Sequence, residues 1–189
     1  MKKFSLFLIL SILFIFACAE KSEDTKLTEG TPEYQLANQL SSTLPYLNPS
    51  ENNALISSNE FKITTGEVIS NIQRNMGNRA NQLTNLNETQ LKSNIKRFAN
   101  ILGEKELFLT AAEEEDIQIS QAEIDSALNV QYNSAGGEEQ FLKFLTNRGL
   151  KIEDVKNDIA EGLKIQKYIK RVVDGDINVT SEDIQDAYN

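Results

Sequence analysis

The run from Glu88 to Glu115 constrains the fold more than any other stretch of the chain. Leu91, Ile95, Phe98, Leu102 and Leu109 recur at spacings of four, three, four and seven, which places them on one face of a helix. Ile101, Phe108 and Ala112 form a second stripe beside the first. The remaining positions are strong helix formers such as Gln90, Lys92, Lys96, Glu104 and Lys105, and Asn87 or Thr89 can cap the start. The spacing predicts one long helix covered on more than one side, with Gly103 marking a kink or a close approach. The acidic end, Glu113-Glu114-Glu115-Asp116, reads as a solvated terminus, although four acids there oppose the helix dipole.

Other segments carry similar signals. Thr31 as N-cap and Pro32 at the first helical position predict a short helix from Pro32 to Thr43, ended by Pro45. Ala54 to Ile63 reads as two short strands about the polar turn Ser57-Ser58-Asn59-Glu60. One pattern then occurs three times: apolar, polar, apolar, a Ser or Thr, two residues, an acid and an aliphatic. It runs Phe61–Val68, Ile117–Ile124 and Ile177–Ile184. Each copy is an extended stretch feeding a capping box, with Thr64, Ser120 and Thr180 as caps and Glu67, Glu123 and Asp183 reaching back. Helices are predicted from Thr65 to about Leu83, Gln121 to Tyr132, Glu138 to Arg148, Ile152 to Val173 and from Ser181 onward. Asn133–Gly137 is expected as a loop and Asp174-Gly175-Asp176 as a turn. The fold class is all-α with a short N-terminal β-hairpin, since the strands are too few and too short for a parallel α/β sheet.

Composition limits the chemistry. Among 189 residues there is no histidine and one cysteine, Cys18. That excludes Ser–His and Cys–His nucleophiles, histidine metal ligands and internal disulfides. No catalytic residue, metal site or cofactor is expected. A net charge of −9 disfavours nucleic acid as a partner.

The N-terminus reads as an address. Lys2 and Lys3 precede an apolar run from Phe4 to Phe16, and Ala17 stands directly before Cys18. This resembles the lipobox of bacterial lipoproteins. The resemblance implies residues 1–17 as a signal peptide, cleavage between Ala17 and Cys18, and a lipid anchor on Cys18. It implies a cell-envelope location, on the periplasmic face of the outer membrane or at the cell surface. Residues 18–30 are polar and read as a flexible tether, and 31–53 as an extra segment carrying the short helix.

The order of elements from residue 54 to 189 resembles the SurA-type N-terminal chaperone domain, also met in PrsA-like and PpiD-like periplasmic foldases. The residues that carry it are the hairpin, the long helix, Ile117–Ile124, Gly136-Gly137-Glu138-Glu139-Gln140-Phe141-Leu142, Arg148-Gly149-Leu150, Ile165-Gln166-Lys167 and Ile177–Ile184. The resemblance implies a SurA N-terminal or trigger-factor-like peptide-binding domain, holding unfolded secreted or outer-membrane polypeptides. It departs from the family in lacking, within the sequence, the parvulin-type isomerase domain and the C-terminal segment that completes the chaperone domain. The expectation is that the Pro32–Thr43 helix covers the face that segment would cover. Met76, Phe144 and Tyr168 are the candidate peptide-binding residues, because methionine and aromatic side chains off the core stripes suit an adaptable apolar surface. Two other functions fit the sequence: a prolyl isomerase by family association, and a surface lipoprotein with one specific partner.

Overall fold

The computed structural model describes residues 25–176. Six helices and one hairpin follow in chain order: α1 (Pro32–Ser41), β1 (Ala54–Ser57), β2 (Lys62–Thr64), α2 (Thr65–Met76), α3 (Glu88–Glu114), α4 (Gln121–Ser134), α5 (Glu138–Asn147) and α6 (Ile152–Asp176). The hairpin pairs Ala54 with Thr64, Ile56 with Ile63 and Ser57 with Lys62, with a bulge between Ala54 and Ile56. The all-α class with a short hairpin holds.

The side chains separate into two cores. In the first lobe, α1, the 3-10 turn Pro45–Leu47, the hairpin, α2 and the N-terminal half of α3 surround Leu36, Leu40, Leu47, Ile63, Val68, Ile69, Ile72, Leu91 and Ile95. In the second lobe, α4, α5 and the first half of α6 gather around Leu128, Phe141, Leu145 and Ile159. Helix α3 joins the lobes. Its first half is sunk in the first core, and its second half packs along α6.

Local chemistry accounts for most boundaries. Both copies of the repeated capping box within the described residues form, and Asn87 with Gln90 makes a further box at the start of α3. The Thr64 N–H donates to the Glu67 carboxylate at 2.6 Å, and the Glu67 N–H donates to Thr64 Oγ1 at 3.4 Å. The Ser120 N–H donates to Glu123 at 2.9 Å, and the Glu123 N–H to Ser120 Oγ at 3.4 Å. The third copy, at Thr180 and Asp183, lies outside the described residues, as does the helix expected from Ser181. Three helices end in the two-bond C-terminal closure with a left-handed residue. Gly136 closes α4, Gly149 closes α5, and α3 uses Asp116 (φ +49°). There the Ile117 N–H donates to the Ala112 carbonyl (2.9 Å) and the Asp116 N–H to the Glu113 carbonyl (2.9 Å), and both Ile117 and Ala112 are buried.

Several expectations need correction. The helix expected to run from Thr65 to Leu83 stops at Met76. Gly77 turns there with φ +55°, and Gly77–Asn85 follows as 3-10 turns that bury Ala80 and Leu83. Helix α4 continues through Asn133 to Ser134, and α6 runs through the expected turn to Asp176. Gly103 makes no break in α3. It is a close approach, since an added Cβ would stand 3.1 Å from Ile56 Cδ1. The second stripe of α3 is not covered: Ile101 and Phe108 are exposed, and only Ala112 is buried.

The expected tether also ends early. Leu27 packs against the first core, and a Cβ at Gly66 would collide with the Thr25 carbonyl. The helix of segment 31–53 docks on the body. Thr31 caps α1 by accepting the Tyr34 N–H at 3.2 Å, and Leu36, Ala37, Leu40, Leu44 and Leu47 are fully or almost fully buried against α2 and its neighbours. A helix of ten residues is marginal alone in water, so this docking is what makes α1 persist.

Candidate functional site

The second lobe and the later parts of α3 and α6 are short of cover. All nine exposed large apolar side chains among the described residues lie beyond residue 100: Ile101, Leu107 and Phe108 on α3, Val130 on α4, Leu142 and Phe144 on α5, and Ile169, Val172 and Val173 on α6. Val130 and Phe144 share a trough with Gln131, Ser134, Ala135, Gln140 and Phe141, of about 470 Å³ and open to solvent. Helices α4 and α5 diverge from the Gly136-Gly137 turn, whose two positive φ values (+86° and +116°) let the chain reverse within a few residues. Phe141 forms the floor, held edge-on against Tyr132 at 5.4 Å between ring centroids. Phe144, one turn further along α5, stays 47% exposed at the rim. The guanidinium of Arg148 lies over its ring at 4.4 Å.

Burial, then the Glu138 carboxylate that accepts its hydrogen bond, push the Tyr132 hydroxyl above its ordinary value. Glu139 and Lys143 pair with each other at 2.7 Å along α5.

The candidate residues do not converge. Phe144 lines the trough. Tyr168, half-buried, lies on the α3–α6 seam with its ring 6.4 Å from that of Phe108. Met76 ends α2 and packs, partly buried, against the first core, so it is a wall residue and not part of the trough. Sequence reasoning missed Val130, because one valine among polar neighbours carries no periodic signal. It also missed the exposed α6 stripe Ile169–Val172–Val173, whose helical spacing is that of a core face.

The seam between lobes is closed largely by charge. Lys105 of α3 pairs with Glu161 of α6, Glu113 with Lys164 at 3.1 Å, Glu115 with Arg171 at 3.1 Å, and Glu123 of α4 with Lys167 at 2.6 Å. Arg171 and Lys167 also donate to the backbone carbonyls of Glu115 (2.9 Å) and Gln118 (3.0 Å). Arg74 of α2 reaches Asp158 of α6 at 3.4 Å. The acidic end of α3 is therefore matched to a basic row on α6 and not merely solvated, which corrects the expectation for Glu113–Asp116. The Lys167 ammonium, followed by the Ser120 donors, holds the Glu123 carboxyl down at about 2. Glu106, half-buried on α3, is shifted the other way. Burial raises it first, and Glu161, Glu67 and Glu113 add to the effect while Lys105 opposes it.

Among the described residues no group of three His, Cys, Asp or Glu side chains is placed to hold a metal ion. No helix among them is long and apolar enough to cross a membrane. Ala17 and Cys18 lie outside the described residues.

No curated protein and no solved structure matches the chain. The family model described as the SurA-like N-terminal domain matches residues 41–169, which takes in the last residue of α1, the hairpin, most of the first core, the second core and α6 as far as Ile169. That span is more than half of the 189 residues, and the chain belongs to the family of SurA-like N-terminal domains.

Proposed function

We propose that the protein is a lipid-anchored holdase of the bacterial cell envelope, which keeps unfolded secreted or outer-membrane polypeptides from aggregating. The observation that carries this reading is the confinement of exposed apolar side chains to one half of the molecule, with a trough among them. A surface of this kind rewards an incoming apolar segment with roughly 25 cal/mol for each Å² withdrawn from water. Its walls are phenylalanine, valine and glutamine, which accept varied side chains and offer amides to a passing backbone. Family membership supports a chaperone role and does not by itself establish one. The anchor rests on the lipobox-like Ile15-Phe16-Ala17-Cys18, where the sole cysteine stands at the lipidation position. No catalytic step belongs to this reading, and partners other than polypeptide and membrane lipid are not invoked.

The test is suppression of aggregation by the protein freed of residues 1–18, with three unrelated unfolded clients. Wild type is expected to suppress all three at near-equimolar ratio, and Phe144→Glu with Val130→Glu to lose most of the effect while melting normally. Activity toward a single client would instead mark a dedicated partner protein, and acceleration of prolyl isomerisation would mark an enzyme. Palmitate labelling that survives Cys18→Ser would remove the anchor.

A further inference from the structure

Beside the trough stands a charge, that of Arg148, which no carboxylate among the described residues answers. Of the charged side chains on α5 and its C-cap, Glu138 accepts from Tyr132 and Glu139 pairs with Lys143. Arg148 stacks on Phe144 and has no carboxylate partner among the described residues. The guanidinium carbon stands 4.4 Å from the centroid of the rim aromatic, and the Arg148 side chain is exposed to solvent. Elsewhere the molecule is acidic, and at the lobe seam its basic side chains are matched: Lys105, Lys164, Lys167, Arg171 and Arg74 all have carboxylate partners.

We infer that the α4–α5 trough selects polypeptide segments in which an aromatic or branched aliphatic residue lies within a few positions of an internal Asp or Glu. The apolar side chain enters between Val130, Phe141 and Phe144, and the acidic side chain takes the fork of Arg148. The inference rests on the holdase reading of the trough and adds the client's chemistry. An internal acid is the occupant, not a chain terminus, because nearly all residues of an unfolded client lie away from its ends and the trough is open to solvent. Long-range repulsion from a protein of net charge −9 disfavours acidic clients, so a preference for them depends on this one local cation.

The experiment uses fluorescein-labelled nine-residue peptides with a Phe-Val centre, all amidated at the C-terminus, carrying either Glu or Gln beside the centre. Fluorescence anisotropy is expected to give about tenfold tighter binding of the Glu peptide, the scale of one charge-assisted hydrogen-bonded pair. With Arg148→Gln the two peptides are expected to bind equally or in reversed order, while Arg148→Lys keeps part of the preference and controls for the fold. Equal binding of the two peptides to wild type would overturn the inference and leave the holdase reading standing. So would tight binding that follows a free C-terminal carboxylate on the Gln peptide. Failure of either peptide to compete with an unfolded client would overturn the trough as the client site, and the inference with it.

Discussion

The two lobes solve the same problem by different means. The first seals fourteen buried apolar residues behind α1, the hairpin and α2. The second has four in its core, and its join to α3 is a row of ion pairs. Burial of a Leu or Ile side chain contributes about 1.5–3 kcal/mol, whereas an exposed ion pair contributes roughly 0–1 kcal/mol. Stability therefore resides in the first lobe, and exposed apolar surface lies in the second and along the later parts of α3 and α6. A domain that must offer apolar surface and stay folded benefits from this separation, because the exposed residues are not those the core requires.

The strongest way to break the comparison is to open the first lobe. Leu40→Ala removes a fully buried side chain of α1 and is expected to cost about 2–5 kcal/mol in chemical denaturation. Deleting Thr31–Pro49 removes four such leucines and is expected to abolish the cooperative transition; an unchanged melting temperature would show that α1 is dispensable. Next in size is Leu145→Ala in the second core, about 2–4 kcal/mol. By hydrogen exchange its effect is expected in α4 and α5 and not in α1 or α2. Uniform loss of protection would show that the lobes are one cooperative unit.

Two smaller effects sharpen the contrast. Glu106 has a raised pKa in the folded protein, so folding favours its protonated form: its contribution improves as pH falls through the folded value and is unfavourable once it ionises. Glu106→Gln is therefore expected to raise the melting temperature at pH 7, with the gain disappearing in acid. Glu123 has the opposite sign. Its support is present above the ordinary carboxylate range and is lost only as pH falls toward about 2. The least effect is that of salt. Going from about 0.05 to 0.5 M shortens the Debye length several-fold and is expected to weaken protection of α6 by less than about 1 kcal/mol, with no change in α1.

Much of this architecture was legible in the chain. The three-and-four spacing of Leu91, Ile95, Phe98 and Leu102 located α3, and Thr64–Glu67 and Ser120–Glu123 fixed two helix starts to the residue. What periodicity could not tell is which apolar stripe finds a partner. Ile101 and Phe108 repeat as regularly as Leu91 and Ile95, yet both stay exposed, Phe108 with the Tyr168 ring beside it. Likewise Glu113 and Glu115 look like an unhelpful end to α3 until Lys164 and Arg171, some fifty residues later, arrive beside them.

Local interactions within four or five residues decide where a helix starts, stops and turns apolar, and the sequence by itself determined those. Which faces meet depends on how α3 and α6 lie across each other, and on how far α4 and α5 spread from Gly136-Gly137. Only the tertiary structure decided that Phe144 stands at a rim with Arg148 over it while Met76 is a wall of the first core. The reason is that burial belongs to pairs of surfaces, and one segment encodes only its own.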